Sequence, residues 1–167
     1  MVVAALLGPL LVVGTTACGH KAETGEMTEL KLSINQESLT KALVILDAEL
    51  INHSDREISF LPWNTPLEGR ILGDYLSIVD KGNGMRLGYQ GLVVKRAVPT
   101  EADYVSLKPG ESISGSVDIS SSYRFCADIH YVLAFDSQFY SFDAAPLEIR
   151  SEPIEFTTKN IKDCPND

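Results

Sequence analysis

The side chains that most often carry out chemistry are few in this sequence, and they are not grouped. The sequence contains three histidines and three cysteines, namely His20, His53, His130, Cys18, Cys126 and Cys164. It has no H-E-x-x-H motif, no G-x-S-x-G elbow and no loop of carboxylates at calcium-binding spacing. The sequence therefore predicts no catalytic centre, no metal site and no cofactor.

The first 21 residues predict export. Residues 2–13 are nearly all apolar, small residues follow them, and no charged residue precedes Lys21. The apolar run is short and interrupted, which favours a secretory signal over a membrane-spanning helix. Residues 15–18, TTAC, are similar to a bacterial lipobox, in which the cysteine is lipidated and becomes the new N-terminus.

We therefore expect a signal peptide at residues 1–17, lipidation of Cys18, a tether at residues 18–27 and a single folded domain at residues 28–167. Such a protein would be held by its lipid to a membrane of the bacterial cell envelope, on the periplasmic side or at the surface. Plain secretion and a membrane-spanning segment are the two alternatives.

Cys126 and Cys164 remain as a pair if Cys18 carries lipid. An exported compartment permits disulfides, and a bond between these two would close a loop worth about 3–4 kcal/mol in the loop-entropy model. The alternative is one buried thiol and one loose thiol. If Cys126 and His130 share a strand face at i and i+4 they could form a catalytic pair, but we interpret His130 as a structural strand residue.

The charge of the chain limits the class of partner. The net charge is −9, and no basic cluster occurs anywhere in the sequence. Nucleic-acid binding needs a positive patch that displaces counterions, so a nucleic-acid partner is excluded. Anionic membrane surfaces are disfavoured for the same reason, whereas a basic protein partner is favoured.

Short runs of alternating apolar residues, separated by turn residues, fill the sequence from residue 28 onward. The predicted strands are 28–34, 41–52, 56–61, 74–80, 104–107, 111–119, 127–135 and 147–157. This spacing predicts an all-β, immunoglobulin-like antiparallel β-sandwich of about seven to nine strands. Tyr123, just beyond the sixth run, is expected to hydrogen-bond across a corner of the sandwich.

The segment 38–50 fits two patterns. It could be a helix capped by Ser38, or a strand from Lys41 whose inward face carries alternate apolar residues from Ala42 to Leu50. We favour the strand, because the turn at 52–55 and the run after it complete a hairpin.

The only tryptophan lies where neither a helix nor a regular strand can continue. Trp63 stands between Pro62 and the sequence Asn64-Thr65-Pro66. We interpret its indole as a plug in the sandwich core, with the two prolines stiffening the crossover to the next strand. The alternative is a binding surface.

Four motifs together resemble the non-catalytic N-terminal region of bacterial deuterolysin-like and peptidyl-Lys metalloendopeptidases. They are WNTP at 63–66, GLVVKRAVPT at 91–100, LKPGES at 107–112, and Tyr123, within a resemblance that spans roughly residues 28–135. In those proteases a zinc domain with H-E-x-x-H follows this region. Because the motif does not occur in this sequence, the resemblance does not imply protease activity.

The resemblance implies that the region itself has a role. A pro-region of this kind is expected to assist the folding of the catalytic domain and to block its cleft. The segment 89–100 would lie in that cleft, with Lys95, or less readily Arg96, in the acidic pocket of a Lys-specific enzyme. The alternative is that both side chains form the solvated tip of a structural loop.

The sequence thus favours two functional hypotheses, neither of which is enzymatic, over a third in which the protein is an enzyme. The first is an exported, lipid-anchored binding module that inhibits or chaperones a deuterolysin-like metallopeptidase. The second is a structural or adhesive cell-envelope lipoprotein with an unrelated partner.

Overall fold

The computed structural model describes residues 28–141, 145–161 and 164. The predicted signal peptide, the lipidation site Cys18 and the tether lie outside these residues. The elements are β1 (Thr28–Ile34), α1 (Gln36–Thr40), β2 (Ile45–Asn52), β3 (Ile58–Phe60), a 3-10 helix (Pro66–Glu68), β4 (Leu76–Asp80), a 3-10 helix (Glu101–Asp103), β5 (Val105–Leu107), β6 (Ser112–Asp118), β7 (His130–Phe139), β8 (Leu147–Arg150) and β9 (Ile154–Thr157).

The strands pair antiparallel in two layers that enclose the core. One layer has the order β1-β2-β6, and the other has the order β4-β7-β8, with β9 also paired to β7. The short pair β3-β5 adjoins the end of β7, where the backbone N–H of Leu61 donates to the carbonyl of Tyr140 over 2.7 Å. The predicted all-β sandwich of seven to nine antiparallel strands is confirmed.

The hydrophobic core is formed by side chains that point inward at alternate positions of the strands. The side chains of Val44, Leu46 and Leu50 point inward and are fully buried, as predicted for this face. Leu133 and Phe135 of β7 are also fully buried and belong to the same hydrophobic cluster. Each buried side chain of this size contributes about 1.5–3 kcal/mol through its removal from water.

The segment before β2 differs from both interpretations of the sequence. A short helix, α1, is capped by Asn35, whose side-chain oxygen accepts from the N–H of Ser38 over 3.2 Å. Ser38 therefore lies inside the helix, and its hydroxyl also accepts from the N–H of Ile45 over 3.1 Å. The predicted strand start at Lys41 is wrong, because α1 and a turn occupy the chain up to β2.

The predicted strand 147–157 is broken by a bulge. Residues 147–150 pair with 136–139, and residues 154–157 pair with 130–133, so three residues oppose two between them. Pro153 lies in this bulge, outside the paired residues, so its lack of an N–H costs no hydrogen bond between the strands. Ile149 and Phe156 are separated by an odd number of positions, which would place them on opposite faces of a regular strand. The extra residue of the bulge brings both side chains to the inner face.

The predicted strand 127–135 begins only at His130, so Cys126 and His130 do not share a strand face. Asp128 has φ 57°, and the turn around it precedes β7. Cys126 and Cys164 form a disulfide with a Cα–Cα distance of 5.2 Å, which confirms the predicted pair. The buried hydroxyl of Thr158 donates to the carbonyl of Cys126 and ties the end of β9 to the same point.

Asn52 is a fully buried polar side chain at the end of β2. Its amide nitrogen donates to the carbonyls of Arg56 over 2.8 Å and Leu107 over 3.0 Å. Its oxygen accepts from the N–H and the hydroxyl of Ser54 over 3.0 and 2.6 Å. One side chain thus joins the β2–β3 turn to the end of β5.

We predict that Asn52→Ala lowers the free energy of unfolding by about 2–4 kcal/mol, because it leaves several buried polar groups without partners. Urea denaturation followed by far-ultraviolet circular dichroism measures this change. Asn160→Ala is the matched control, since the exposed amide of Asn160 makes one long bond of 3.3 Å to the carbonyl of Thr40. Equal stability of the two variants would contradict the role of Asn52.

Candidate interaction loop and aromatic cleft

Residues 90–100, here called the interaction loop, contain no helix or strand. No backbone–backbone hydrogen bond is made by residues 91–99 within the described part of the chain. Three apolar side chains of the loop are highly exposed, Leu92 at 74%, Val93 at 78% and Val98 at 87%. Exposed apolar residues gathered in one segment are typical of an interaction surface.

The N-terminal end of the loop is anchored by Tyr89. Its ring packs edge-on against Tyr123 with 5.5 Å between centroids, and its hydroxyl lies 2.6 Å from the carbonyl oxygen of Leu92. The N–H of Gln90 donates to the carbonyl of Ser122 over 2.8 Å. A Cβ on Gly91 would lie 2.5 Å from the Tyr89 hydroxyl, so a larger residue here would displace the Tyr89 side chain.

Tyr123 is the tyrosine that the sequence predicts at a sandwich corner, and that prediction is confirmed. It is 2% exposed, and its hydroxyl donates to a carboxylate oxygen of Asp74 over 3.2 Å. Burial and then the neighbouring Asp74 charge raise the pKa of Tyr123 well above its usual value. Tyr123 therefore stays neutral and supports the Tyr89 anchor throughout the physiological pH range.

The C-terminal half of the loop is anchored by Arg96. Its guanidinium forms an ion pair with Glu68, and the two side chains are only 20% and 8% exposed. The same guanidinium lies over the ring of Trp63, 4.8 Å from the centroid. Partial burial limits solvent screening of the ion pair, and the cation–π contact adds about 1 kcal/mol.

The turn around Trp63 places Glu68. The buried hydroxyl of Thr65 donates to the carbonyl of Pro62 over 2.7 Å and accepts from the N–H of Leu67 over 3.2 Å. The 3-10 helix Pro66–Glu68 follows, with proline at a position that needs no N–H donor. The second carboxylate oxygen of Glu68 accepts from the N–H of Asn64 over 2.9 Å, which fixes the carboxylate towards Arg96.

The same 3-10 helix is seated on β6 at a glycine. A Cβ on Gly115 would lie 3.2 Å from the Cα of Leu67 and 3.4 Å from the carbonyl oxygen of Pro66. Any larger residue at this position would push the helix, and with it Glu68, away from the sheet.

The prediction that Trp63 is a core plug is wrong. Its side chain is half-buried, is absent from the hydrophobic core cluster, and packs under Arg96 instead. It forms a wall of a cleft of about 420 Å³, here called the aromatic cleft, whose lining is Leu61, Trp63, Asn64, Val94, Arg96, Pro99, Tyr104, Tyr140 and Ser141. This lining suits apolar and aromatic side chains of a partner.

The two predicted contact residues differ in their surroundings. Lys95 is exposed and makes no ion pair with any residue that the structure describes. Arg96 is held by Glu68 and Trp63, so its charge is already compensated within the domain. Lys95 is therefore the loop cation that is available to a partner.

His53 and His130 are exposed on the surface of the described domain. His53 is 2.9 Å from Glu29, and His130 is 2.9 Å from Glu155, which also binds Lys81. Hydrogen bonds from Lys81 and His130 lower the pKa of Glu155. The interpretation of His130 as a hydrogen-bonded strand residue is confirmed.

Residues 28–141, 145–161 and 164 contain neither a cluster of metal-ligating side chains nor a membrane-spanning helix. No three or more His, Cys, Asp and Glu side chains come together as a possible metal site. None of the described helices combines the length and apolar character needed to cross a bilayer.

Glu68, Tyr89 and the aromatic cleft were not predicted from the sequence. A signal for Glu68 was present, because Thr65-x-x-Glu68 with proline in between is the pattern of a helical N-terminus. Tyr89 and the cleft gave no local signal, since their contacts join segments that are distant in sequence.

This chain is similar in part to a known protein. No family model matches the chain. An extracellular protease of Aeromonas hydrophila is 26% identical over 92 residues, which cover 55% of this chain and 25% of that protein. The matched part of the chain thus corresponds to a quarter of that protease, and the similarity is consistent with a protease-related region.

We predict that Arg96→Ala shifts the fluorescence emission of Trp63 to longer wavelength and lowers stability by about 1–3 kcal/mol. The change removes the cation above the indole and leaves the carboxylate of Glu68 uncompensated. Because Trp63 is the only tryptophan, its emission reports this contact alone. Lys95→Ala is the control, and an Arg96→Ala spectrum that matches it would refute the contact in solution.

Proposed function

We propose that this protein is an exported, non-enzymatic binding module that inserts its interaction loop into the cleft of an extracellular metalloendopeptidase and limits its activity. The single observation that carries the proposal is a loop anchored at Tyr89 and Arg96, with exposed apolar residues between the anchors and a Lys95 that has no ion-pair partner among the described residues. The similarity to an extracellular protease over 92 residues supports a protease-associated role.

The loop has the properties of a segment that binds by adding to an edge strand. Its backbone N–H and C=O groups from 91 to 99 have no backbone partners in the described chain, and Pro99 alone has no N–H to offer. An extended segment of this kind can pair with a strand that borders a protease cleft. The anchors at Tyr89 and Arg96 reduce the conformational entropy that the loop loses on binding.

Lys95 supplies the specificity in this proposal. Its ammonium would enter an acidic pocket of a Lys-specific enzyme, while Leu92, Val93 and Val94 would contact apolar subsites beside it. The net charge of −9 would favour an enzyme with a basic surface around its cleft. The resemblance to metalloendopeptidase pro-regions supports the same partner, and it extends the proposal to assisting that partner's folding.

The location that we propose is the bacterial cell envelope, with a lipid on Cys18. The lipobox-like TTAC at residues 15–18 supports the anchor, and the Cys126–Cys164 disulfide is typical of an oxidising compartment.

A structural or adhesive role on another envelope component is the second candidate. The exposed Leu92, Val93 and Val98 favour it too, since apolar exposure does not select a protease.

We predict that the purified chain inhibits a Lys-specific metalloendopeptidase at micromolar concentration and that Lys95→Ala weakens inhibition at least about tenfold, a change of about 1.4 kcal/mol. Hydrolysis of a lysine-containing peptide, titrated with the protein, measures both effects.

Lys108→Ala is the matched control, because Lys108 is also exposed but lies in the turn between β5 and β6. Refolding of the enzyme with and without the protein tests assistance to folding. Neither inhibition nor protection during refolding would eliminate the protease-directed function. Full inhibition by Lys95→Ala would eliminate only the role of Lys95.

A further inference from the structure

We propose that the Lys95–Arg96 bond is a processing site, and that the domain remains assembled as two fragments after this bond is cut. The peptidase class is an endopeptidase with an acidic specificity pocket and apolar subsites. This inference goes beyond the proposed function and does not require that the protein inhibit any enzyme.

The backbone around Lys95 is more accessible than that around other turn lysines. Proteases bind substrates as extended strands and need unpaired backbone groups. The N–H of Lys81 donates to His130 over 2.8 Å, and the N–H of Lys108 donates to the carboxylate of Glu111 over 2.8 Å. Lys95 lies within the nine residues, 91–99, that make no backbone–backbone hydrogen bond in the described chain.

The contacts of Arg96 favour cleavage of the bond after Lys95 over cleavage of the bond after Arg96. An acidic pocket needs a free cation, and the guanidinium of Arg96 is held by Glu68 and Trp63. The ammonium of Lys95 has no such partner among the described residues, and exposed Leu92 and Val93 precede it. Cleavage after Lys95 is therefore favoured over cleavage after Arg96.

The reaction is a simple hydrolysis. Water adds to the carbonyl carbon of Lys95, and the bond from that carbon to the nitrogen of Arg96 breaks. The water oxygen remains on Lys95 as part of a carboxylate, and the nitrogen leaves as the ammonium of Arg96. No group is oxidised or reduced.

The topology keeps the two fragments together. The first fragment carries β1–β4 and the second carries β5–β9. Three antiparallel ladders cross between them, because β2 pairs with β6, β3 with β5, and β4 with β7. The Cys126–Cys164 disulfide lies wholly within the second fragment, so the fragments are held only by non-covalent contacts.

The Arg96 anchor holds the new end in place. After cleavage Arg96 begins the second fragment, whereas Glu68 and Trp63 belong to the first. Their ion pair and cation–π contact thus become contacts between fragments. The cut end of the second fragment stays at the aromatic cleft, while residues 92–95 gain a free carboxyl end.

Limited digestion of the folded full-length chain with trypsin tests this proposal. Mass spectrometry is expected to find the first cut after Lys95. Denaturing gel electrophoresis without reductant should show two fragments, and size-exclusion chromatography should show one peak at the position of the uncut chain. The emission of Trp63 should stay unchanged, because its contact with Arg96 survives the cut.

Three variants complete the test. Lys95→Gln should lose the first cut, Lys108→Gln should keep it, and Glu68→Gln should add a cut after Arg96 by releasing its side chain. A first cut at another site within the described domain, or fragments that separate on the column, would overturn the proposal. Because trypsin replaces the metallopeptidase, this result is independent of whether the protein inhibits that enzyme.

Discussion

The position of the interaction loop depends on the compensation of the charge of Arg96. Its side chain is mostly buried, so the guanidinium must be compensated within the domain. Glu68 and the face of Trp63 supply that compensation and thereby fix the middle of a loop that has no backbone ladder. The other described contact that holds this loop against the sandwich is the hydrogen bond from the Tyr89 hydroxyl to the carbonyl of Leu92.

The position of Glu68 depends in turn on backbone packing. Gly115 lets the 3-10 helix Pro66–Glu68 approach β6 closely, and Thr65 closes the turn that precedes that helix. A glycine in β6, an edge strand of its sheet, thus helps to position a carboxylate of a 3-10 helix that lies about fifty residues earlier in the chain. The interaction loop therefore depends on the sandwich beneath it as much as on its own sequence.

Much of the fold follows from strand periodicity, because alternation is a local property. β1 and the inward face of β2 were predicted correctly, as were the fold class and the disulfide. The Trp63 prediction failed because a large aromatic residue in an irregular segment can pack either inward or under a neighbouring cation. Trp63 packs under Arg96, which is distant in sequence, so no pattern near Trp63 indicated this contact.

The division of every sheet between the first and second halves of the chain has a consequence for how the protein folds. β2, β3 and β4 cannot complete their ladders until β5, β6 and β7 exist. Contacts so far apart in sequence slow folding, because long loops must close before any core forms. A polypeptide that ends before β5 would therefore leave β3 and β4 without the strands with which they pair, and it would expose the apolar faces of those two strands.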